Sequence, residues 1–90
     1  DMAWYGMGLA HARLGQHDQA VTALEKVVEL QPMSGEGFYQ LGMAYHHANR
    51  PDDVTGIVKR LVAFEPKRAK KLVQDAQRAD LMKFIPELPF

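Results

Sequence analysis

The 90-residue chain contains no cysteine, which excludes thiolate chemistry, and its histidines and paired aspartates are the first candidates for a metal or catalytic site. A helical zinc site needs two histidines four residues apart, so that both imidazoles lie on one face. No two histidines have that spacing: they are His11, His17, His46 and His47. Neighbouring residues on a helix point about 100° apart, which separates the last two. The sequence therefore predicts no metal site and no cofactor.

Two adjacent acids, Asp52 and Asp53, stand where a helix is predicted to begin. Negative side chains are favoured there because they face the positive end of the helix dipole, so they do not require a catalytic explanation. Gly6 and Gly8 fall inside a predicted helix with no strand before it, so they do not form a phosphate-binding loop. No group of residues indicates a reaction, and we predict that the chain is not an enzyme.

The composition fits one small domain or a piece of a longer one. Eleven basic and eleven acidic residues cancel. No apolar run approaches the roughly 20 residues of a membrane-spanning helix, and no secretion leader is visible, so we predict no membrane span and take the cytoplasm as the default location. The absence of cysteine fixes no compartment. Because the chain starts at Asp1 within a helical pattern, we expect it to be a fragment of a longer protein.

The sequence repeats itself at an interval of 34 residues. Shifting the chain by that interval aligns six identical pairs between the first copy and the second, which are Tyr5/Tyr39, Gly8/Gly42, Ala10/Ala44, Asp18/Asp52, Val28/Val62 and Pro32/Pro66. Apolar residues of similar size align between them. A fixed period of this length indicates repeated helical hairpins, and because one hairpin cannot bury its own apolar face, the copies are expected to stack.

Each copy divides into two helices, because apolar residues recur at helical spacing in both of its halves. We predict helices over residues 2–14, 18–31, 35–48 and 52–65. Gly15 and Asn49 follow the first helix of each copy, and both residue types readily adopt the left-handed conformation that ends helices. Pro51 suits the first turn of the helix after Asn49. Pro32 and Pro66 end the two copies.

A fifth helix is predicted over residues 69–85, where small and apolar residues share one face. Asp75 stands where the repeat has an apolar residue, which suits a terminal element with one polar face. We therefore divide the chain into repeat 1 at residues 1–34, repeat 2 at 35–68, a capping helix at 69–85 and an apolar tail at 86–90.

The two copies share one ordered set of aromatic, small and proline residues. In the first copy it is Trp4, Met7, Gly8, His11, Ala20, Leu24 and Pro32, and in the second Phe38, Leu41, Gly42, Tyr45, Val54, Val58 and Pro66. This set resembles the pattern of the tetratricopeptide repeat family. The resemblance implies an all-α, right-handed solenoid of two helix-turn-helix repeats and a C-terminal capping helix. Three residues depart from the pattern: His11 replaces the usual tyrosine, Val54 replaces a small residue, and Gly56 falls inside a helix. These departures indicate a looser second hairpin.

The first helix of each copy is apolar on a second face as well. The resemblance implies that this face lines a concave groove, formed by Tyr5, Leu9, Tyr39, Met43 and His46. Tyrosine and methionine suit a partner surface, since one offers a flat ring with a polar tip and the other adapts its shape. Packing against neighbouring helices is the alternative interpretation of these side chains.

The groove residues favour a protein-binding adaptor or scaffold that holds a peptide or helical segment of another protein. Members of the family that bind a terminal carboxylate use lysine and asparagine in the groove, whereas this chain has aromatic and apolar residues there, so we do not expect that mode. The alternative function is structural. The chain would then be the end segment of a longer helical-repeat array, or a self-associating domain that forms a homo-oligomer.

Basic residues crowd one segment that contains a single acid, Glu65. They are Lys59, Arg60, Lys67, Arg68, Lys70 and Lys71. A solvated surface is the simplest interpretation, and an acidic protein partner is the second. We do not expect nucleic acid as a partner, because no aromatic residue is interleaved with these basic residues.

The C-terminal segment carries four large apolar side chains among its last seven residues: Phe84, Ile85, Leu88 and Phe90. Soluble chains normally avoid exposing such a patch. We expect this tail to dock on its own domain or on a second copy of the chain. The alternative is a linker to a downstream segment.

Overall fold

The computed structural model describes residues 2–86 of the chain, and that part consists of helices and turns without a strand. The helices are α1 (Met2–Arg13), α2 (His17–Leu30), α3 (Gly35–His47), α4 (Pro51–Phe64) and α5 (Pro66–Asp75), followed by a 3₁₀ helix (Ala79–Phe84). The first four lie within one residue of their predicted bounds. The all-α, tetratricopeptide-like helical repeat predicted from the sequence is confirmed.

The helices form two layers. Each helix packs against the next one along the chain, while α3 also contacts α1 and α5. The odd-numbered helices therefore make an inner layer of neighbours. The helices α2 and α4 of the outer layer do not approach each other within 8 Å between Cα atoms.

A residue in the left-handed backbone conformation ends the first helix of each copy, as the sequence predicts. Gly15 has φ 76° and Asn49 has φ 59°. Pro51 occupies the first turn of α4, where its missing amide proton costs no hydrogen bond. Ser34 begins α3, and its hydroxyl accepts a hydrogen bond from the amide of Gly37 at 3.1 Å.

Two equivalent glycines let helices approach closely. A Cβ at Gly8 would lie 2.6 Å from Cγ of Leu24, and a Cβ at Gly42 would lie 2.5 Å from Cδ2 of Leu72. Both leucines are fully buried in an apolar core that is formed by α2 to α5 and the 3₁₀ helix, with α1 packed against it through partly buried residues. Val54, which departs from the repeat pattern, is also buried in that core.

The C-terminal region differs from the single helix predicted over residues 69–85. The helix α5 begins three residues earlier, because Pro66 is suited to a first turn, and ends at Asp75. Gln77 then takes a left-handed conformation with φ 57°. The guanidinium of Arg78 donates to the Pro51 carbonyl at 3.1 Å, which anchors the chain at the start of α4. This contact between distant residues favours a turn and a separate 3₁₀ helix over continued α-helix.

Candidate functional site

A cavity of about 250 Å³ lies between α1, α2 and α3 and is lined largely by apolar groups. Leu9 and Ala12 come from α1, and Tyr39 and Met43 come from α3. The 34-residue repeat places Leu9 and Met43 at equivalent positions of their helices, so that both point to the same side of the inner layer. Three of the five predicted groove residues thus line one cavity.

The remaining lining of this cavity comes from buried core residues and two polar side chains. It consists of Leu24, Gln40, Ala44 and His47. Neither a lysine nor an arginine lines it. The cavity can therefore hold an apolar group, with at most two neutral polar contacts.

Tyrosine hydroxyls connect the helices of the inner layer. The hydroxyl of Tyr5 on α1 donates to Oε1 of Glu36 on α3 at 2.9 Å. In the same way, the hydroxyl of Tyr39 on α3 donates to Oδ2 of Asp75 on α5. The hydroxyls of both predicted groove tyrosines are therefore engaged in hydrogen bonds within the chain, so their rings are the parts that could contact a partner.

Glu36 is the centre of a polar network beside the cavity. In addition to the Tyr5 hydroxyl, it accepts hydrogen bonds from Gln40 at 3.1 Å and from Arg68 at 2.5 Å. Arg68 also pairs with Glu65 at 3.3 Å, so it bridges α3 to the start of α5. These bonds hold the pKa of Glu36 below its usual value, with the Gln40 hydrogen bond the largest cause.

Tyr5 and Tyr39 ionise less readily than a tyrosine in water. Burial raises the pKa of Tyr39 to about 12, with a further contribution from the hydrogen bond to Asp75. Burial also raises the pKa of Tyr5, assisted by its bond to Glu36. Both hydroxyls are therefore protonated donors at neutral pH.

The structure separates the two neighbouring histidines at the end of α3. His47 lines the 250 Å³ cavity. His46, which the sequence analysis places in the groove, lines a different cavity of about 320 Å³ beside Arg50, Val54 and Arg78. The one-residue step turns the side chain by about 100°, so the choice between them depends on where the helix ends.

Three histidines come together at the rim of the groove, a cluster that sequence reasoning missed. The ring of His17, at the start of α2, stacks on that of His47 with centroids 5.4 Å apart. His46 lies 5.1 Å from His47 on the same measure. Burial, and then the proximity of these two rings, lower the pKa of His47. The sequence could have indicated this cluster, because α2 and α3 are consecutive antiparallel helices and the start of α2 therefore lies beside the end of α3.

The six basic residues do not form one uniform patch. Arg68 is paired with Glu36 and Glu65, and Lys71 with Asp75 at 3.1 Å. Two others lie over aromatic rings: Lys59 over Phe84 and Arg60 over Phe38. Lys67 is exposed and Lys70 is partly buried.

Two of the four apolar side chains predicted to dock at the C-terminus lie within the described residues. Phe84 and Ile85 are partly buried against the core of their own chain. The ammonium groups of Lys59 and Lys83 lie 4.8 and 5.3 Å from the centre of the Phe84 ring. Leu88 and Phe90 lie outside the described residues.

Residues 2–86 contain neither a cluster of metal ligands nor a membrane-spanning helix. No three His, Asp or Glu side chains of this part come together as metal ligands would. None of its helices has the length and apolar character needed to cross a bilayer.

Comparison with known proteins gives two findings. Residues 2–34 match the tetratricopeptide repeat family model. Superkiller complex protein 3 of Homo sapiens is 38% identical to the chain over 63 residues, which cover 67% of this chain and 4% of that protein. The chain thus corresponds to a small part of that relative. No solved structure matches it. The family resemblance inferred from the sequence is confirmed.

Proposed function

Since residues 2–34 are a tetratricopeptide repeat, we propose that this chain is a non-catalytic module that binds another protein through the groove of its inner layer. Such repeats generally mediate contacts between proteins. The relative's name describes a component of a complex, which fits a binding role. Within this function, the partner contributes a peptide or helical segment with apolar anchors.

The cavity lined by Leu9, Tyr39 and Met43 is the observation that carries this proposal. Its volume of about 250 Å³ is below the roughly 300–1,000 Å³ typical of small-molecule sites. It suits one large apolar side chain projecting from a longer segment. Methionine at its wall allows different side chains to fit.

The polar groups around the cavity support apolar recognition over capture of a carboxylate. Arg68 contacts Glu36 and Lys71 lies over the ring of Tyr39, and both cations are paired with acids of the chain. A partner carboxylate would have to displace Glu36 or Asp75 to reach them. An apolar side chain displaces only water.

The test uses a phage-displayed library of helical peptides, selected against the full chain. We expect enriched peptides to share apolar anchors and to shift the NMR signals of Leu9, Tyr39 and Met43. Met43→Glu should weaken their binding by at least about tenfold, as loss of a central anchor does. Met33→Glu is the matched control, because Met33 is 69% exposed and lies in a turn away from the cavity. Enriched peptides that bind Met43→Glu as tightly as the native chain would contradict the proposal.

A further inference from the structure

One side-chain amide in the lining of the 250 Å³ cavity has a fixed orientation. Gln40 lines the cavity, and its Nε2 donates to Oε1 of Glu36 at 3.1 Å. Glu36 also accepts hydrogen bonds from the Tyr5 hydroxyl and from Arg68. Its pKa is lowered, with the Gln40 hydrogen bond the largest cause, so the group is a carboxylate at neutral pH. Because a carboxylate only accepts hydrogen bonds, the amide must turn its NH₂ group toward Glu36.

The other end of this amide is available to an occupant of the cavity. The carbonyl oxygen Oε1 of Gln40 has no hydrogen-bond partner among residues 2–86. This oxygen accepts hydrogen bonds and cannot donate one. An occupant that displaces water from it without supplying a donor leaves a polar atom unpaired, which lowers the affinity. The cavity therefore favours an occupant that carries a hydrogen-bond donor.

The walls of the cavity favour an aromatic ring over an aliphatic chain. Tyr39 offers its ring, since its hydroxyl is bonded to Asp75, and pairs of aromatic rings gain affinity beyond the area that they bury. Met43 adds a thioether, which makes favourable contacts with the edges of aromatic rings. Together with Leu9, these groups surround a volume of about 250 Å³, which can hold a side chain of two fused rings.

We propose that the cavity binds a tryptophan side chain of the partner, whose indole N–H donates to Oε1 of Gln40. Tryptophan is the aromatic side chain whose single polar group is purely a donor, whereas phenylalanine has no donor and the tyrosine hydroxyl also accepts. This inference rests on the proposed function and names the anchor that the groove selects. Gln40 is then the residue that determines specificity, because an aliphatic anchor would satisfy the apolar walls and leave Oε1 unpaired.

The probes are the N-acetyl amides of four amino acids: tryptophan, 3-benzothienylalanine, tyrosine and leucine. In 3-benzothienylalanine a sulfur atom replaces the indole N–H while the two-ring shape is kept, so this pair isolates the hydrogen bond. Each amide is titrated into the full chain, and the NMR methyl signals of Leu9 and Met43 are followed. We expect the tryptophan amide to bind most tightly, at least about threefold more tightly than the benzothienyl amide.

A substitution at Gln40 tests the acceptor from the side of the protein. Gln40→Met keeps the length of the side chain and removes the carbonyl oxygen. It should abolish the difference between the tryptophan and benzothienyl amides and leave the affinity for the leucine amide unchanged. Gln19→Met is the matched control, because Gln19 is exposed on α2 and does not line this cavity. It should preserve the preference for tryptophan.

Three results would overturn the inference. They are equal affinity of the native chain for the tryptophan and benzothienyl amides, tighter binding of the leucine or tyrosine amide, and no shift of the two methyl signals at about 5 mM tryptophan amide. Library peptides that shift these signals but carry leucine anchors would contradict this inference and leave the proposed function standing. Peptides that bind without shifting the signals would contradict the proposed function itself.

Discussion

The hydroxyl of Tyr39, in the middle of the inner layer, is hydrogen-bonded to the carboxylate of Asp75, the last residue of α5. Lys71 pairs with the same carboxylate and lies 5.3 Å from the centre of the Tyr39 ring. The wall of the candidate cavity is therefore fixed in place by the C-terminal helix. Changes at Asp75 should reach the groove through Tyr39 even though Asp75 does not line it.

The first prediction concerns how Asp75→Asn changes the stability of the fold at neutral and at acid pH. The hydrogen bond from Tyr39 and the pair with Lys71 lower the pKa of Asp75. A carboxyl group with a lowered folded-state pKa stabilises the fold above its unfolded pKa of about 3.9, and this contribution is lost as the pH falls through the folded value. Asp75→Asn should thus lower the melting temperature at pH 7, and the difference from the native chain should narrow below about pH 4. A difference that is constant with pH would contradict this account.

The same variant should change the alkaline titration of Tyr39. The native pKa of about 12 should move toward the ordinary value of about 10, because the hydrogen bond to a carboxylate is removed. Phenolate absorbance measures this directly, and Tyr39→Phe identifies which transition belongs to Tyr39. An unchanged titration would mean that burial alone holds the proton.

The second prediction compares two helical glycines. Gly42→Ala should destabilise the fold by about 1–3 kcal/mol, because the new methyl group would overlap the buried side chain of Leu72. Gly56→Ala should stabilise it by about 0.5–1 kcal/mol, because its Cβ meets open space and alanine is the better helix former. Urea denaturation gives both free energies of unfolding. Equal effects of the two substitutions would show that helix propensity, rather than packing, dominates at Gly42.

The third prediction concerns the histidine cluster. His47 has a lowered pKa, so its neutral form is the one that the fold stabilises. This stabilisation is present above the unfolded pKa of about 6.5 and is lost as the pH falls through the folded value. The melting temperature should therefore drop between pH 7.5 and 5, and His47→Gln should reduce that drop. His11→Gln is the control, since His11 contacts Gln16 and lies outside the cluster. Equal drops in the native chain and His47→Gln would rule out His47 as the cause.

The fourth prediction concerns Arg78, which fastens the 3₁₀ helix to the start of α4. Besides its bond to the Pro51 carbonyl, it donates to the hydroxyl of Thr55 at 3.2 Å and pairs with Asp80 at 2.9 Å. Arg78→Gln should cost about 1–2 kcal/mol, because bonds from a charged donor are lost in a partly buried place. Hydrogen exchange at Leu81 should accelerate more than exchange in α2. Lys26→Gln, at an exposed pair, should have little effect.

The first four helices could be predicted because each depends on local signals that the repeat supplies twice. Gly15 and Asn49 end equivalent helices, and one position alone would have been weaker evidence. The C-terminal break could not be predicted, since it depends on the contact between Arg78 and Pro51, 27 residues apart.

The candidate site was predicted in part for the same reason. Leu9 and Met43 are related by the repeat, so their shared cavity follows from the period. The hydrogen bonds of the two tyrosines do not follow from the 34-residue period, because Tyr5 and Glu36 are 31 residues apart whereas Tyr39 and Asp75 are 36 apart. The choice between His46 and His47 depended on the rotation of a helix end by one residue, which a sequence pattern does not resolve.

The unequal layers of the fold have a mechanical consequence. Hydrogen bonds from Tyr5 and Tyr39 connect the inner helices to one another, whereas α2 and α4 do not approach within 8 Å between Cα atoms. When the chain bends, the distances between the inner helices should change little, whereas the distance between α2 and α4 should increase and decrease. The candidate cavity, which lies on the inner side, would then keep nearly the same width while the curvature of the whole unit changes.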